Sequence, residues 1–137
     1  MSLEQEILSK YRTVAVVGLS SNPERASNRV ARYLKEQGYR IIPVNPREAE
    51  VLGERAYPDL CAVPEPIDVV DIFREPKAVP RVVAQAMYVG AKAVWMQEGI
   101  VHQAAAARAR RAGMAVVMDH CMMKEHRRIM RKNRPKP

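Results

Sequence analysis

The sequence predicts an α/β fold, namely a single Rossmann-like, doubly wound domain of about five parallel strands flanked by helices. Short apolar runs rich in β-branched residues alternate along the chain with amphipathic stretches of helical length. The runs are continuously apolar, which is typical of strands covered by helices on both faces. No internal repeat or linker interrupts this order, and 137 residues suffice for one buried core.

Two helices and two strands are predicted in the first third of the chain. Leu3, Ile7 and Leu8 recur at helical spacing, so a short helix precedes the first strand. Ser27 is a residue type favoured at helix starts and is predicted to cap the second helix. The predicted elements are a helix ending near Tyr11, a strand over 12–17, a helix from Ser27 to Gln37 and a strand over 39–44.

The remaining elements repeat the strand–helix order. Residues 51–66 are the least regular part and are predicted to hold a short extra strand before a proline-rich loop. Pro76 suits the first turn of a helix, and Gly113 suits the end of an alanine-rich one. The predicted strands are 68–73, 91–96 and 114–118, and the predicted helices are 76–88, 101–112 and 121–131.

The excess positive charge is confined to the C-terminal end. The formal net charge is +8, but residues 124–137 hold seven Lys and Arg against one Glu, so the preceding residues carry only +2. We therefore divide the chain into a Rossmann-like domain over 1–130 and a basic, frayed tail over 131–137. Such cations could attract nucleic acid. Cations at a helix end also suit the helix dipole, and this interpretation is preferred.

The composition favours a cytoplasmic protein without a membrane anchor. The apolar runs are far shorter than a bilayer span, and the acidic N-terminus lacks the basic and apolar regions of a secretory signal. Two cysteines, Cys61 and Cys121, cannot build a disulfide framework and are expected to be reduced thiols.

The loop after the first strand is the strongest candidate for anion binding. Ligands of open parallel sheets bind outside the carboxyl ends of the strands, where a following helix offers N–H groups and its dipole to phosphate. Gly18 is the only glycine here, so both the dinucleotide fingerprint and the Walker motif are absent, and an ordinary capped turn is the alternative. The candidate residues are Gly18, Ser20, Ser21, Asn22, Arg25, Ser27 and Asn28.

The loop after the second strand argues against NAD. An NAD site has an acidic residue here for the ribose hydroxyls, whereas this chain has Asn45, Pro46 and Arg47. Arg47 could pair with a phosphate near the adenosine ribose, which suits a more anionic nucleotide. NADP satisfies the same pattern, and an exposed arginine with no ligand is equally compatible with it.

Two further strand ends could line the ligand. Gln97, Glu98 and Gly99 follow the fourth strand, where glycine allows close backbone approach and Glu98 could accept a hydrogen bond. Phe73 and Arg74 end the third strand. Phe73 could pack on a flat ligand group, although burial within the sheet fits the sequence equally well.

Residue types that bind metals or act as thiol nucleophiles occur near the last helix, but their spacing does not indicate a metal or thiol site. Asp119, His120 and Cys121 are followed by Glu125 and His126, but no Cys-x-x-Cys or His-x-x-x-His spacing occurs. A helix-capping Asp119 with a buried Cys121 is preferred to a thiol of lowered pKa. No catalytic and no metal-ligating residue is assigned.

Five segments, taken in order, form a pattern more specific than any one of them. They are Val14–Ser20 with Asn22-Pro23 and Ser27-Asn28, Ile42–Pro46, Val69–Arg74, Val94–Gln97 and Val117–Cys121. The pattern resembles the small CoA-binding protein family, which is similar to the CoA-binding domain of the succinyl-CoA synthetase alpha subunit. The resemblance runs from about Tyr11 to His126 and so covers nearly the whole chain.

The resemblance implies that coenzyme A lies across the strand ends. Residues 18–28 would hold the pyrophosphate, and residues 45–47 would lie beside the adenosine and its 3′-phosphate. Residues 73 and 74 would line the other side of the adenine. Residues 97–99 would approach the pantetheine arm.

The function implied is that of a CoA or acyl-CoA binding protein, a non-catalytic module that serves as carrier, sensor or partner of an acyl-CoA enzyme. His102, His120 and His126 do not match the histidine that the synthetase phosphorylates in a second domain, so ligase activity is not expected. A small NADP-dependent reductase and a nucleic-acid-binding protein are the alternatives. The acyl group and the oligomeric state are left open.

Overall fold

The computed structural model describes residues 1–133 and confirms the predicted fold class. The last four residues of the predicted tail, 134–137, lie outside the described residues, whereas Arg131 and Lys132 belong to the last helix. The helices are α1 (Leu3–Lys10), α2 (Ala26–Glu36), α3 (Val79–Tyr88), α4 (Gln103–Arg111) and α5 (Met122–Lys132). The strands are β1 (Thr13–Val17), β2 (Arg40–Val44), β3 (Glu50–Val51), β4 (Glu54–Arg55), β5 (Val69–Ile72), β6 (Ala93–Met96) and β7 (Ala115–Val117).

The five longer strands form one parallel sheet in the order β2-β1-β5-β6-β7. β1 pairs with β2 on one side, where Val17 is opposite Val44, and with β5 on the other, where Val17 is opposite Ile72. The chain thus winds outward in both directions from the β1–β5 pair. In such sheets the ligand crevice lies at the carboxyl ends of the two strands where the order reverses.

Helices cover both faces of this sheet, which explains why its strands are continuously apolar. In β1, Val14 and Val16 belong to a core shared with α1, α2 and α5, whereas Ala15 and Val17 belong to a core shared with α3 and α4. Every residue of β5 and β6 is buried. Within residues 1–133, no helix combines the length and apolar composition needed to span a bilayer.

The irregular segment and the third helix differ in detail from the prediction. Residues 51–66 lie around a small antiparallel hairpin of two strands, β3 and β4, where one short strand was predicted. A 3-10 turn over Leu60–Ala62 follows the hairpin. The helix predicted from Pro76 begins with a 3-10 turn over Pro76–Ala78, and α3 proper starts at Val79.

Two predicted helix caps are wrong. α2 begins at Ala26, so Ser27 lies within its first turn, and Arg25 occupies the N-cap position without a side-chain bond. Asp119 does not cap α5, because its carboxylate accepts a hydrogen bond from the backbone N–H of Gly99 at 2.7 Å. Both polar side chains accept instead from backbone N–H groups at the carboxyl edge of the sheet, Ser27 within its own loop and Asp119 from a neighbouring one.

Candidate functional site

The loops after β1 and β5 meet closely at the point where the strand order reverses. The backbone N–H of Phe73 donates to the carbonyl oxygen of Val17 at 2.9 Å. The backbone N–H of Gly18 donates to the carbonyl oxygen of Val44 at 2.8 Å. Gly18 has a φ of +88°, and a Cβ added there would lie 2.3 Å from the Phe73 carbonyl oxygen. Since only glycine combines this φ with so close an approach, Gly18 allows the loops after β1 and β5 to meet at this edge of the sheet.

The loop after β1 is held in one shape by its own side chains. The Ser20 N–H donates to Ser27 Oγ at 3.0 Å, and Asn28 Nδ2 donates to the Ser20 carbonyl oxygen at 2.9 Å. The Asn22 N–H donates in turn to Ser20 Oγ at 3.1 Å. Ser27 and Asn28 are buried, whereas Asn22 is exposed. The predicted anion-binding residues are therefore brought together, with Ser27 and Asn28 beneath the loop as its supports.

The start of α2 offers backbone donors beside this loop. The first N–H groups of a helix have no acceptor within the helix. The N-cap residue of α2, Arg25, makes no side-chain hydrogen bond to these groups, as is also true of the N-cap residues of α3 and α5. Ser21 and Arg25 are exposed at the same end. The helix dipole, the uncapped N–H groups and the arginine make this the part of the crevice best suited to an anion.

The loop after β2 is tied to the loop after β1. Asn45 Nδ2 donates to the Leu19 carbonyl oxygen at 3.0 Å, and Asn45 Oδ1 accepts from the Arg47 N–H at 2.9 Å. Pro46 and Arg47 are exposed. Asn45 therefore ties the backbone of Arg47 to the loop after β1.

The end of β5 supplies Phe73 and Arg74 on the other side of β1. Both are partly buried. Phe73 packs against the core but keeps part of its surface exposed. Arg74 forms an ion pair with Glu75 at 3.3 Å. The hydrogen bond from Arg74 lowers the pKa of Glu75, so this carboxylate stays ionised next to the arginine.

The end of β6 forms a tight turn, in which the Ile100 N–H donates to the Gln97 carbonyl oxygen at 2.9 Å and Gly99 has a φ of +81°. Glu98 projects from the turn and pairs with Lys124 of α5 at 2.7 Å. This hydrogen bond raises the pKa of Lys124. Sequence reasoning missed Lys124, because nothing in the spacing relates it to a turn 26 residues earlier.

Asp71 was also missed as a site residue, although an acid within an apolar strand was a visible signal. It lies in β5, fully buried, and its Oδ1 accepts a hydrogen bond from Gln97 Nε2 at 2.5 Å. Burial raises the pKa of Asp71 to about 7, against the opposing effect of the Gln97 bond. The carboxyl group therefore lies directly beneath the turn at the end of β6.

The residues around the start of α5 carry no activated thiol. Cys121 is buried, as predicted, and burial raises the pKa of its thiol. His120 Nδ1 lies 3.8 Å from Glu125 Oε1, and Arg128 lies 3.5 Å from the other oxygen of the same carboxylate. In the described part of the chain, no group of three or more His, Cys, Asp or Glu is placed to hold a metal ion.

Comparison with known proteins shows close relatives over the whole domain. The family model of the CoA binding domain matches residues 12–127. The uncharacterized protein YneT of Bacillus subtilis is 38% identical over 122 residues, which are 89% of this chain and 90% of that protein. The solved structure of a hypothetical protein from Pyrococcus horikoshii has a TM-score of 0.90 and 44% identity, covering 93% of this chain and 89% of that one.

A third relative is an enzyme subunit of much greater length. The alpha subunit of ADP-forming acetate–CoA ligase II from Pyrococcus furiosus is 36% identical over 84 residues. The match covers 61% of this chain but only 18% of the ligase subunit. The similarity to the ligase is therefore confined to a small part of that enzyme.

Proposed function

Because the chain belongs to the CoA binding domain family, we propose that it binds coenzyme A or an acyl-CoA in the crevice at the carboxyl ends of its strands. The observation that carries this proposal is the uncapped start of α2 beside a loop that is already held in shape. A pyrophosphate placed there accepts hydrogen bonds from the helix N–H groups and gains from the dipole. Because the loop is already ordered, binding loses little conformational entropy there.

The other strand ends receive the rest of the ligand. Residues 45–47 lie beside the adenosine, residues 73 and 74 line the opposite side of its base, and residues 97–99 accompany the pantetheine arm. Support comes from the sheet order, since these loops flank the two strands where the order reverses. Lys124 extends the set, because it pairs with Glu98 at 2.7 Å.

Arg47 provides the sharpest test, because the 3′-phosphate distinguishes CoA from dephospho-CoA. Arg47→Ala is expected to weaken CoA binding by roughly tenfold, the usual effect of losing one charge-assisted bond. Dephospho-CoA should bind almost unchanged. Arg110→Ala is the matched control, since Arg110 is an exposed arginine in the last turn of α4, at the opposite edge of the sheet. An equal loss for both ligands would remove Arg47 from this role.

We also propose that the chain is a binding module, acting as carrier, sensor or partner of an acyl-CoA enzyme. Two of its histidines are engaged elsewhere: His102 Nδ1 accepts from the Ala105 N–H at 3.1 Å, and His126 Nδ1 lies 2.8 Å from the Tyr33 hydroxyl. Incubation with ATP, acetate and CoA is therefore expected to release no ADP. ADP formation above that of a heat-treated sample would contradict this part of the proposal.

A further inference from the structure

Asp71 is a fully buried acid that the surrounding sheet leaves half satisfied. Its neighbours in register are Val16 on β1 and Trp95 on β6, both fully buried. Oδ1 accepts the hydrogen bond from Gln97, but Oδ2 is enclosed and has no hydrogen-bond partner among the residues that the structure describes. A buried polar atom without a partner costs stability, so Asp71 does not serve the fold.

The single partner of Asp71 connects it to the ligand edge of the sheet. Gln97 is the first residue after β6 and begins the turn that contains Glu98 and Gly99. Only 3% of Gln97 is exposed, so its amide has little freedom to find other partners. Asp71 takes one N–H of Nε2, and the carbonyl oxygen Oε1 is the side-chain acceptor that Gln97 can offer to a ligand.

The carboxyl group of Asp71 sets the orientation of the Gln97 side-chain amide. In the structure Asp71 accepts from Gln97 Nε2, and above about pH 7, where the carboxyl group is ionised, it can only accept, so the glutamine turns its NH₂ group inward and its oxygen outward. An asparagine at position 71 could donate as well as accept and would allow both orientations of Gln97. Asparagine has almost the same shape as aspartate, but it would not select one orientation of the Gln97 amide.

We infer that Asp71 is a positioning residue of the CoA site, which orients Gln97 so that its carbonyl oxygen accepts an N–H from an amide of the pantetheine arm. This inference rests on the proposed function. The pantetheine arm carries amide N–H groups. Adenosine 3′,5′-bisphosphate lacks them but keeps the adenosine, the 3′-phosphate and one phosphate of the pyrophosphate. A contact made by Gln97 Oε1 therefore strengthens the binding of CoA and leaves that of the bisphosphate unchanged.

Calorimetric titrations with CoA and with adenosine 3′,5′-bisphosphate test the inference on the unmodified protein and four variants. The variants are Asp71→Asn, Gln97→Met and both together, with Asp68→Asn as the control. Asp68 is three positions earlier, and its carboxylate accepts from the Arg12 and Thr13 N–H groups at the amino edge of the sheet, away from the crevice. Circular dichroism establishes that each variant is folded.

Each single variant at the pair is expected to bind CoA roughly fivefold to tenfold more weakly, the effect of one lost hydrogen bond. Both should bind the bisphosphate as the unmodified protein does. In the Gln97→Met background, Asp71→Asn should have no further effect, because Asp71 acts through Gln97. The Asp68→Asn control should keep the affinity for both ligands.

Three outcomes would overturn the inference. They are an equal loss for both ligands, unchanged CoA binding in Gln97→Met, and an additive effect in the double variant. If Asp71→Asn failed to fold, Gln97→Met alone would still test the inference. It must lower the affinity for CoA and leave the affinity for the bisphosphate unchanged. A failure of the unmodified protein to bind CoA would instead overturn the proposed function itself.

Discussion

Replacement of Asp71 by asparagine should change the pH dependence of stability in a defined direction. Burial raises the pKa of Asp71 from 3.8 to about 7 in the folded protein. Below about pH 4 the carboxyl group is protonated in both the folded and the unfolded chain. As the pH rises from there to about 7, only the unfolded chain ionises, so the native state loses stability. Above that range both states are ionised and the loss is constant.

The size of the effect follows from the difference between the two pKa values. A difference of about three units corresponds to about 4 kcal/mol of stability lost across the whole range. Asparagine does not ionise, so the variant escapes this loss. Between about pH 5 and about pH 8, the free energy of unfolding of Asp71→Asn should therefore gain about 3 kcal/mol relative to the unmodified protein.

Urea unfolding followed by the fluorescence of Trp95, the single tryptophan of the chain, measures this gain. His126 contributes a trend of opposite sign, because burial lowers its pKa and stability is lost as the pH falls below the pKa of the unfolded chain. That contribution is common to both proteins and cancels in the difference. Parallel curves, with a constant gap from acid to alkaline pH, would refute the reasoning.

Two further changes test the packing around the crevice. Gly18→Ala should lower the free energy of unfolding by about 3 kcal/mol, because it adds a clash with the Phe73 carbonyl to an unfavourable φ. Gly38→Ala, with a φ of +96° and no atom within 4 Å of the added Cβ, should cost only about 1 kcal/mol in urea unfolding. Equal costs would show that the close approach is relaxed in solution. Trp95→Phe removes the donor that bonds the His120 carbonyl oxygen at 2.8 Å and should cost roughly 1 to 3 kcal/mol in thermal unfolding followed by circular dichroism, whereas unchanged stability would mean that this bond contributes nothing.

The strands and the clustering of the loops at their carboxyl ends were predictable, because their signals are local. Continuous apolar runs such as Val14–Val17 and Val69–Ile72 indicate strands buried on both faces, and the structure places them side by side. The loops that follow such strands then meet at one edge of the sheet, whatever their sequence separation. The clustering of residues 18–28, 45–47 and 73–74 could thus be anticipated without coordinates.

The helix caps and the buried polar contacts could not be predicted in the same way. Ser27 has the chemistry of a cap, but the N–H of Ser20 on the same loop takes its hydroxyl group and the helix starts one residue earlier. Asp119 bonds Gly99 across two neighbouring strand ends for a similar reason. The Asp71–Gln97 bond depends on strand register between β5 and β6, and no sequence spacing encodes that register.

CoA binding is measured directly by calorimetric titration of the nucleotide-free protein with CoA and, separately, with NADP. We predict saturable CoA binding in the micromolar range and much weaker binding of NADP, because NADP lacks the pantetheine arm that we propose residues 97–99 contact. Binding of NADP without binding of CoA would rule out CoA as the ligand and favour a small reductase.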